Sequence, residues 1–156
     1  METIYERAPI IAHTELLARS LRHWTGRELV AGANAGDARE LARRLFESPC
    51  VVVSHGTEAD PVLNYGNRAA LTLWEMDWDE FTRTPSRFTA EAPNRDERAR
   101  LLAEVTARGF IDNYSGVRIA KGGRRFRIEQ ATVWNLIDPD GTRRGQAAMF
   151  ARWEFL

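Results

Sequence analysis

Three histidines, one cysteine and scattered carboxylates are the groups in this chain able to do acid–base, nucleophilic or metal chemistry. Their spacing gathers none of them. His13 and His23 fall on different faces of one predicted helix, and His55 stands alone at a strand end. Zinc needs several converging ligands, so no metal site is expected. Ser54 and His55 are neighbours in a strand, so their side chains point to opposite faces. No nucleophile, base and orienting acid are brought together. Cys50, the sole cysteine, opens the run Cys50-Val51-Val52-Val53, which fits a buried thiol and excludes an intrachain disulfide.

Groups for binding stand out more than groups for turnover. Trp74, Trp78 and Trp134 can stack on a planar ligand, although large rings ordinarily fill small cores. The same rings do both where a pocket lies inside the fold. Gln130 and Thr132 fall mid-strand on a face shared with Phe126, Ile128, Trp134 and Leu136. A buried amide or hydroxyl there must find a partner, either a ligand heteroatom or a neighbouring Trp or Tyr. Tyr65 flanks a tight junction at Gly66 and is a candidate pocket wall. Asn67 fits a helix cap. The basic clusters Lys121–Arg127 and Arg143-Arg144 are able to take phosphates, yet such clusters are more often solvated strand ends that oppose aggregation.

The bulk composition narrows the classes. The chain has 156 residues, enough for one domain with its own core. Lys plus Arg and Asp plus Glu number 22 each, so formal net charge is zero. Without a general positive field, nucleic acid is an unexpected partner. Little net repulsion opposes self-association. The N-terminus lacks a signal-peptide pattern and no run is long and apolar enough to span a bilayer. A cytoplasmic protein that does not enter the membrane is expected.

The elements that must position these residues follow from periodicity. Pro9 to Trp24 carries apolar residues three and four apart, predicting a first helix ended near Gly26. A Gly/Asn-rich segment, Gly32–Gly36, follows. Asp37 and Glu40 have capping-box spacing for a second helix, closed by Ser48-Pro49. Cys50–His55 and Val62–Tyr65 read as strands, and Arg68–Leu73 as a helix. Trp74 to Glu91 has aromatics without a long period, which predicts short turns. Asn94 and Glu97 predict a cap for a helix Arg95–Arg108 ending at Gly109. The period then changes to two. Phe110–Ala120, Arg124–Ile137 and Gly145–Phe155 are predicted strands, joined by Lys121-Gly122-Gly123 and Asp138-Pro139-Asp140-Gly141 turns as an antiparallel meander. Strict alternation puts Gln130, Trp134 and Leu136 with Phe126. It separates Ala147, Met149, Trp153 and Phe155 from Gln146, Ala148 and Phe150. Both sheet faces are part apolar, so both need cover.

The segments VVVSHGTEADPVLNYGNRAALTLWEMDWDEF, SRFTAEAPNRDERARLLAEV, GFIDNYSGVRIAKGGRRFRIEQATVWNLID and GQAAMFARWEF resemble the MEKHLA family, a PAS-related group. The resemblance implies an α+β fold: a PAS-like five-stranded antiparallel sheet with short helices on one face. Residues 1–48 would form an added helical extension packing on the domain or on a partner, and residues 49–156 the PAS-like domain. Carried over by position, a ligand pocket would be lined by Tyr65, Trp74, Trp78, Phe88, Tyr114, Gln130, Trp134 and Phe150, with Thr132 beside Gln130. The flavin–cysteine chemistry of light-sensing PAS domains lacks its helix cysteine here, and the long helix has no histidine for haem. No cofactor is expected, with a non-covalent flavin or other small aromatic ligand left open.

The expected function is a non-catalytic sensory or regulatory module binding a small apolar or aromatic ligand, a partner protein, or both. Output would pass through a homodimer or a regulatory partner, with Pro9–Trp24 as the expected contact surface. One alternative is an interaction domain without a ligand. Another is a small isomerase- or lyase-like enzyme with an apolar pocket, similar to ketosteroid-isomerase-like proteins, using Asp112, Glu129 or His55.

Overall fold

A computed structural model of the protein describes residues 3–30 and 37–156, so the Gly32–Gly36 segment lies outside the described residues. Helix α1 runs Ala8–Thr25, with Pro9 in its first turn, where a missing N–H loses no partner. Its C-cap is Gly26, whose N–H donates to the Arg22 carbonyl at 2.9 Å. Helix α2 is Ala38–Glu47, and the Asp37 side chain accepts from the Glu40 N–H as its spacing predicts.

Strands β1 (Val51–His55) and β2 (Leu63–Gly66) pair antiparallel and lead into α3 (Arg68–Trp74). Asn67 caps α3 and does more. Its Oδ1 accepts from the N–H groups of Ala70 and Val52, and its Nδ2 donates to the carbonyls of Leu45 and Cys50. One buried amide therefore joins the end of α2, the start of β1 and the start of α3. Gly66 is needed beside it, because a Cβ there would lie 2.7 Å from the Phe81 ring.

Short helix α4 (Trp78–Phe81) and a 3₁₀ turn, Ser86–Thr89, wrap the next stretch as the broken periodicity predicts. Helix α5 spans Ala92–Arg108 and starts earlier than its expected cap at Asn94. Pro93 lies inside the first turn, a position that tolerates proline. Gly109 ends α5 at φ 96°, where a Cβ would also strike the Trp24 ring at 2.4 Å.

Strands β3 (Phe110–Ile119), β4 (Arg125–Ile137), β5 (Arg143–Phe150) and β6 (Arg152–Phe155) complete one antiparallel sheet among the described residues. The order is β2-β1-β5-β4-β3, with β6 also beside β4. The expected last strand is thus broken at Ala151, while the pairs Thr132↔Met149 and Glu129↔Arg152 flank the break.

Two apolar layers sandwich this sheet. The inner one joins Val51, Leu63, Trp74, Phe81, Phe126 and Phe150 to Leu101 and Val105 of α5. The outer one joins Val52, Tyr65, Trp134, Leu136 and Ala147 to Leu17 and Leu21 of α1 and Leu45 of α2. The apolar stripe of α1 is therefore consumed against the sheet of its own chain. It is not left as the dimer or partner surface that its pattern invited, because the outer sheet face is apolar and lies within reach.

Strict alternation along β4 does not hold. Between Ile111↔Val133 and Tyr114↔Ala131, β3 advances one residue more than β4; between Tyr114↔Ala131 and Gly116↔Ile128, β4 recovers it. Asn113 (φ 56°) and Gln130 (φ 53°) hold positive φ within these two bulges. The bulge reverses the phase of β4. Phe126 and Ile128 face the inner layer, Ala131 and Val133 take over the inner positions, and Trp134 and Leu136 go under α1. Trp153 and Phe155 likewise join the Phe150 side, with ring centroids 5.9 Å (Trp153–Phe150) and 6.3 Å (Phe155–Phe126) apart.

Candidate functional site

Between the inner sheet face and α5 lies a small, partly open cavity of about 60 Å³. Val53 and His55 come to it from β1, Gln146 and Ala148 from β5, and Ile128 and Val133 from either side of the β4 bulge. Trp74, Tyr114 and Phe150 are also in its wall, and Leu101 and Leu102 of α5 close it. Most of this lining is apolar, as in ordinary ligand pockets.

The polar part is concentrated at Arg98, Arg118, Tyr114 and His55. Arg118 is only 6 % exposed, and its guanidinium donates to the Tyr114 hydroxyl at 3.1 Å and to the Val117 carbonyl at 2.9 Å. The Tyr114 hydroxyl in turn donates to Glu97 at 2.9 Å. Arg98 donates to the Ser86 hydroxyl at 2.9 Å. Burial, reinforced by the charge of Arg118, lowers the Arg98 pKa to about 10. His55 is 6 % exposed; its Nδ1 lies 3.0 Å from the Gly56 carbonyl, and its buried Nε2 has no partner. Burial is the main force holding the His55 pKa down, against the Gly56 hydrogen bond, which raises it. The indole N–H of Trp74 is also buried without a partner.

Behind the cavity, Gln146 and Asn135 tie α5 to the sheet. Gln146 donates to Leu102 and Thr106 on the helix and to Asn135, while Asn135 donates to the Val105 carbonyl at 3.0 Å. The other sheet face is linked to α1. His13 meets Ser54 at 2.8 Å, and the Ser20 hydroxyl accepts from the Ile137 N–H at 3.0 Å. Ser54 and His55 thus face opposite layers: one touches α1, the other the cavity.

This arrangement of sheet, cavity and helices has known counterparts. A family model for the MEKHLA domain matches residues 11–155. The chain belongs to the MEKHLA domain family. It is similar to the homeobox-leucine zipper protein ATHB-14 of Arabidopsis thaliana, 25 % identical over 142 residues that make up 90 % of this chain and 17 % of that protein. The homeobox-leucine zipper protein HOX32 of Oryza sativa subsp. japonica is 24 % identical over 147 residues, 93 % of this chain and 17 % of that protein. This MEKHLA chain therefore spans about one-sixth of the length of the curated relatives it matches.

Solved structures place the MEKHLA fold among PAS domains. A PAS domain from Colwellia psychrerythraea aligns at a TM-score of 0.62 and 12 % identity, covering 76 % of this chain and 95 % of that one. The light-state dimer of the fungal blue-light photoreceptor Vivid aligns at 0.62 and 14 %, covering 95 % and 98 %. An RNA-binding light-oxygen-voltage receptor aligns at 0.60 and 14 %, covering 78 % and 36 %. The α+β, PAS-like architecture expected from the sequence is the one observed.

Of the residues expected to line a pocket, the MEKHLA cavity brings together Trp74, Tyr114 and Phe150. Tyr65 and Trp134 are fully buried in the outer layer beneath α1. Trp78 packs edge-on to Tyr65 at 5.7 Å on that same side. Phe88 is 45 % exposed, flanked by the guanidinium groups of Arg87 and Arg95. Gln130 is exposed, because its positive φ turns it out of the strand's alternation. Thr132 is buried away from the cavity, donating to Asp112 at 2.7 Å and accepting from Arg27 at 3.3 Å. The bulge separates Gln130, Thr132 and Trp134 from Phe126 and Ile128, and period-two counting cannot show it.

Arg98 and Arg118 are charged cavity residues that the sequence reading passes over, along with Gln146, Thr89 and much of the apolar wall. For Arg98 a signal exists: with Leu101, Leu102 and Val105 it completes an i, i+3, i+4, i+7 stripe, a charge on an apolar helix face. Arg118, flanked by Val117 and Ile119, has no comparable mark. Several charges of the two basic clusters are paired at the surface. Lys121 pairs with Glu80, Arg125 with Glu91, and Arg144 with Asp138.

Proposed function

We propose that this MEKHLA domain is a sensory or regulatory module that takes a small molecule between its sheet and α5 and signals through its outer helical layer. The cavity, lined by residues with unpartnered buried polar groups, carries the proposal. Ligand-dependent signalling needs two arrangements with different affinity, and β1 offers a short route between the layers. His55 faces the cavity and its neighbour Ser54 bonds His13 on α1. A shift of β1 by a fraction of an ångström would change the seating of α1, which a second copy or a regulatory protein then reads.

The size of the cavity supports a small ligand over a cofactor. Ordinary ligand pockets run to hundreds of cubic ångströms, against about 60 Å³ here. A flavin is much larger than this volume. Asp112 does not supply an enzyme's raised carboxylate. It lies outside the cavity, and the Thr132 hydroxyl, with Arg27 adding to it, holds its carboxyl below the ordinary range.

Amide NMR of the full chain tests the proposal. A panel of small neutral, anionic and aromatic molecules is expected to include one that shifts His55, Arg98, Tyr114 and Gln146 saturably, with secondary shifts at His13 and Ser54. A panel that moves only surface amides, or none, overturns the cavity as a ligand site.

A further inference from the structure

The charges around this cavity do not balance. Arg98 and Arg118 are bonded only to neutral groups: a serine hydroxyl, a tyrosine hydroxyl and a backbone carbonyl. Among the described residues, no ion pair reaches either guanidinium. Glu97, the acid in this hydrogen-bond chain, accepts from Tyr114 instead. Two cations near each other, Arg118 buried and Arg98 half-buried, with no direct ion pair to either, are costly to fold. Two further groups in the wall are open, the Nε2 of His55 and the indole N–H of Trp74.

We propose that the cavity binds a short-chain aliphatic carboxylate of about two or three carbons, a size set by its volume, about 60 Å³, against the roughly 150 Å³ that admits benzene. This rests on the cavity being a ligand site and names the ligand's chemistry. A carboxylate supplies the missing negative charge, and planar guanidinium forks are suited to its two oxygens. Its alkyl end meets Leu101, Ile128 and Phe150, which have nothing to offer a group that needs donors all round. Inorganic phosphate is such a group, so the lining selects against it. The Trp74 N–H is a further donor for a carboxylate oxygen. His55, with Nδ1–H given to the Gly56 carbonyl, presents Nε2 as an acceptor for a hydroxyl on the same ligand.

The test uses isosteric pairs on the intact chain at fixed chloride and ionic strength. Sodium acetate and propionate are titrated against acetamide and propionamide, with inorganic phosphate as a separate arm, and amide shifts are followed. Saturable carboxylate binding at the cavity residues, at least tenfold tighter than the amides and than phosphate, is the expected result. Arg98→Gln is expected to weaken it tenfold or more while leaving the spectrum of the free protein folded. If that variant unfolds, the wild-type isostere series decides alone. Amides binding as tightly as the acids, or phosphate matching them, overturns the carboxylate assignment while leaving a ligand cavity in place. Binding by none of these probes overturns the assignment too, and the wider panel then judges the cavity itself.

Discussion

Replacing Asn67 with alanine is expected to be among the most damaging single changes on the polar side of this fold. Its Oδ1 accepts from Ala70 at 3.2 Å and from Val52 at 3.1 Å, and its Nδ2 donates to Leu45 at 3.1 Å and to Cys50 at 2.7 Å. The side chain is fully buried, so water does not replace these bonds. Loss of the helix cap costs about 1 kcal/mol. Each of the other three bonds contributes about 1 kcal/mol, more where a buried donor is orphaned. The total is about 4 kcal/mol, a fall in Tm of roughly 8–16 °C for a chain of this size. Urea unfolding followed by tryptophan fluorescence and circular dichroism measures it. Asn67→Asp separates the parts, since it keeps the acceptor but puts a carboxylate against two carbonyls. At neutral pH it should be as damaging as alanine. Its folded pKa would lie above the unfolded value near ~4, so its penalty should be absent at low pH and grow as pH rises through the folded pKa. A loss below about 1 kcal/mol for Asn67→Ala would refute the junction role of this side chain.

Other outcomes follow from single features. Gln130→Gly should hold or raise stability, whereas Gln130→Val, though exposed and a better strand former, should cost about 1–2 kcal/mol at φ 53°; equal stability of the two in urea would argue against the bulge. Gly109→Ala should destabilise by about 2 kcal/mol or more, since it meets both a φ of 96° and the Trp24 ring, and calorimetry reads the shift. Burial lowers the His13 pKa to about 4, so between about 6.5 and 4 the unfolded chain binds the extra proton. Stability from this group is complete above that window and falls as pH drops through it, by up to about 3 kcal/mol; the difference between wild type and His13→Gln in urea unfolding across pH isolates it. Ala148→Leu should fill the cavity and abolish ligand shifts in amide NMR at about 1–3 kcal/mol of overpacking cost; undiminished binding would place the ligand elsewhere.

Local chemistry was enough for the elements and their ends. In setting helix ends, Pro9, Gly26, Asp37, Asn67 and Gly109 act on backbone groups within a few residues, through missing donors, caps and positive φ, so the sequence alone places those boundaries; the longer-range bonds of Asn67 and the contact of Gly109 with Trp24 it does not show. The three-strand meander follows from period-two runs separated by glycine turns, whereas the PAS-like class comes from the resemblance that the longer segments carry. The outer layer is half legible: both faces of β4 look apolar, but only the folded chain shows that α1 covers one of them. The site was the least legible part. Reading Gln130 as inward-facing depends on unbroken alternation, and a single residue at positive φ reverses that phase for everything after it. Arg98 and Arg118 lie 20 positions apart on a helix and a strand, and only the docking of α5 on the sheet makes them neighbours. Residue spacing records contacts made along one element; a cavity is the space that several elements leave between them, so its charge and size are decided only when they pack.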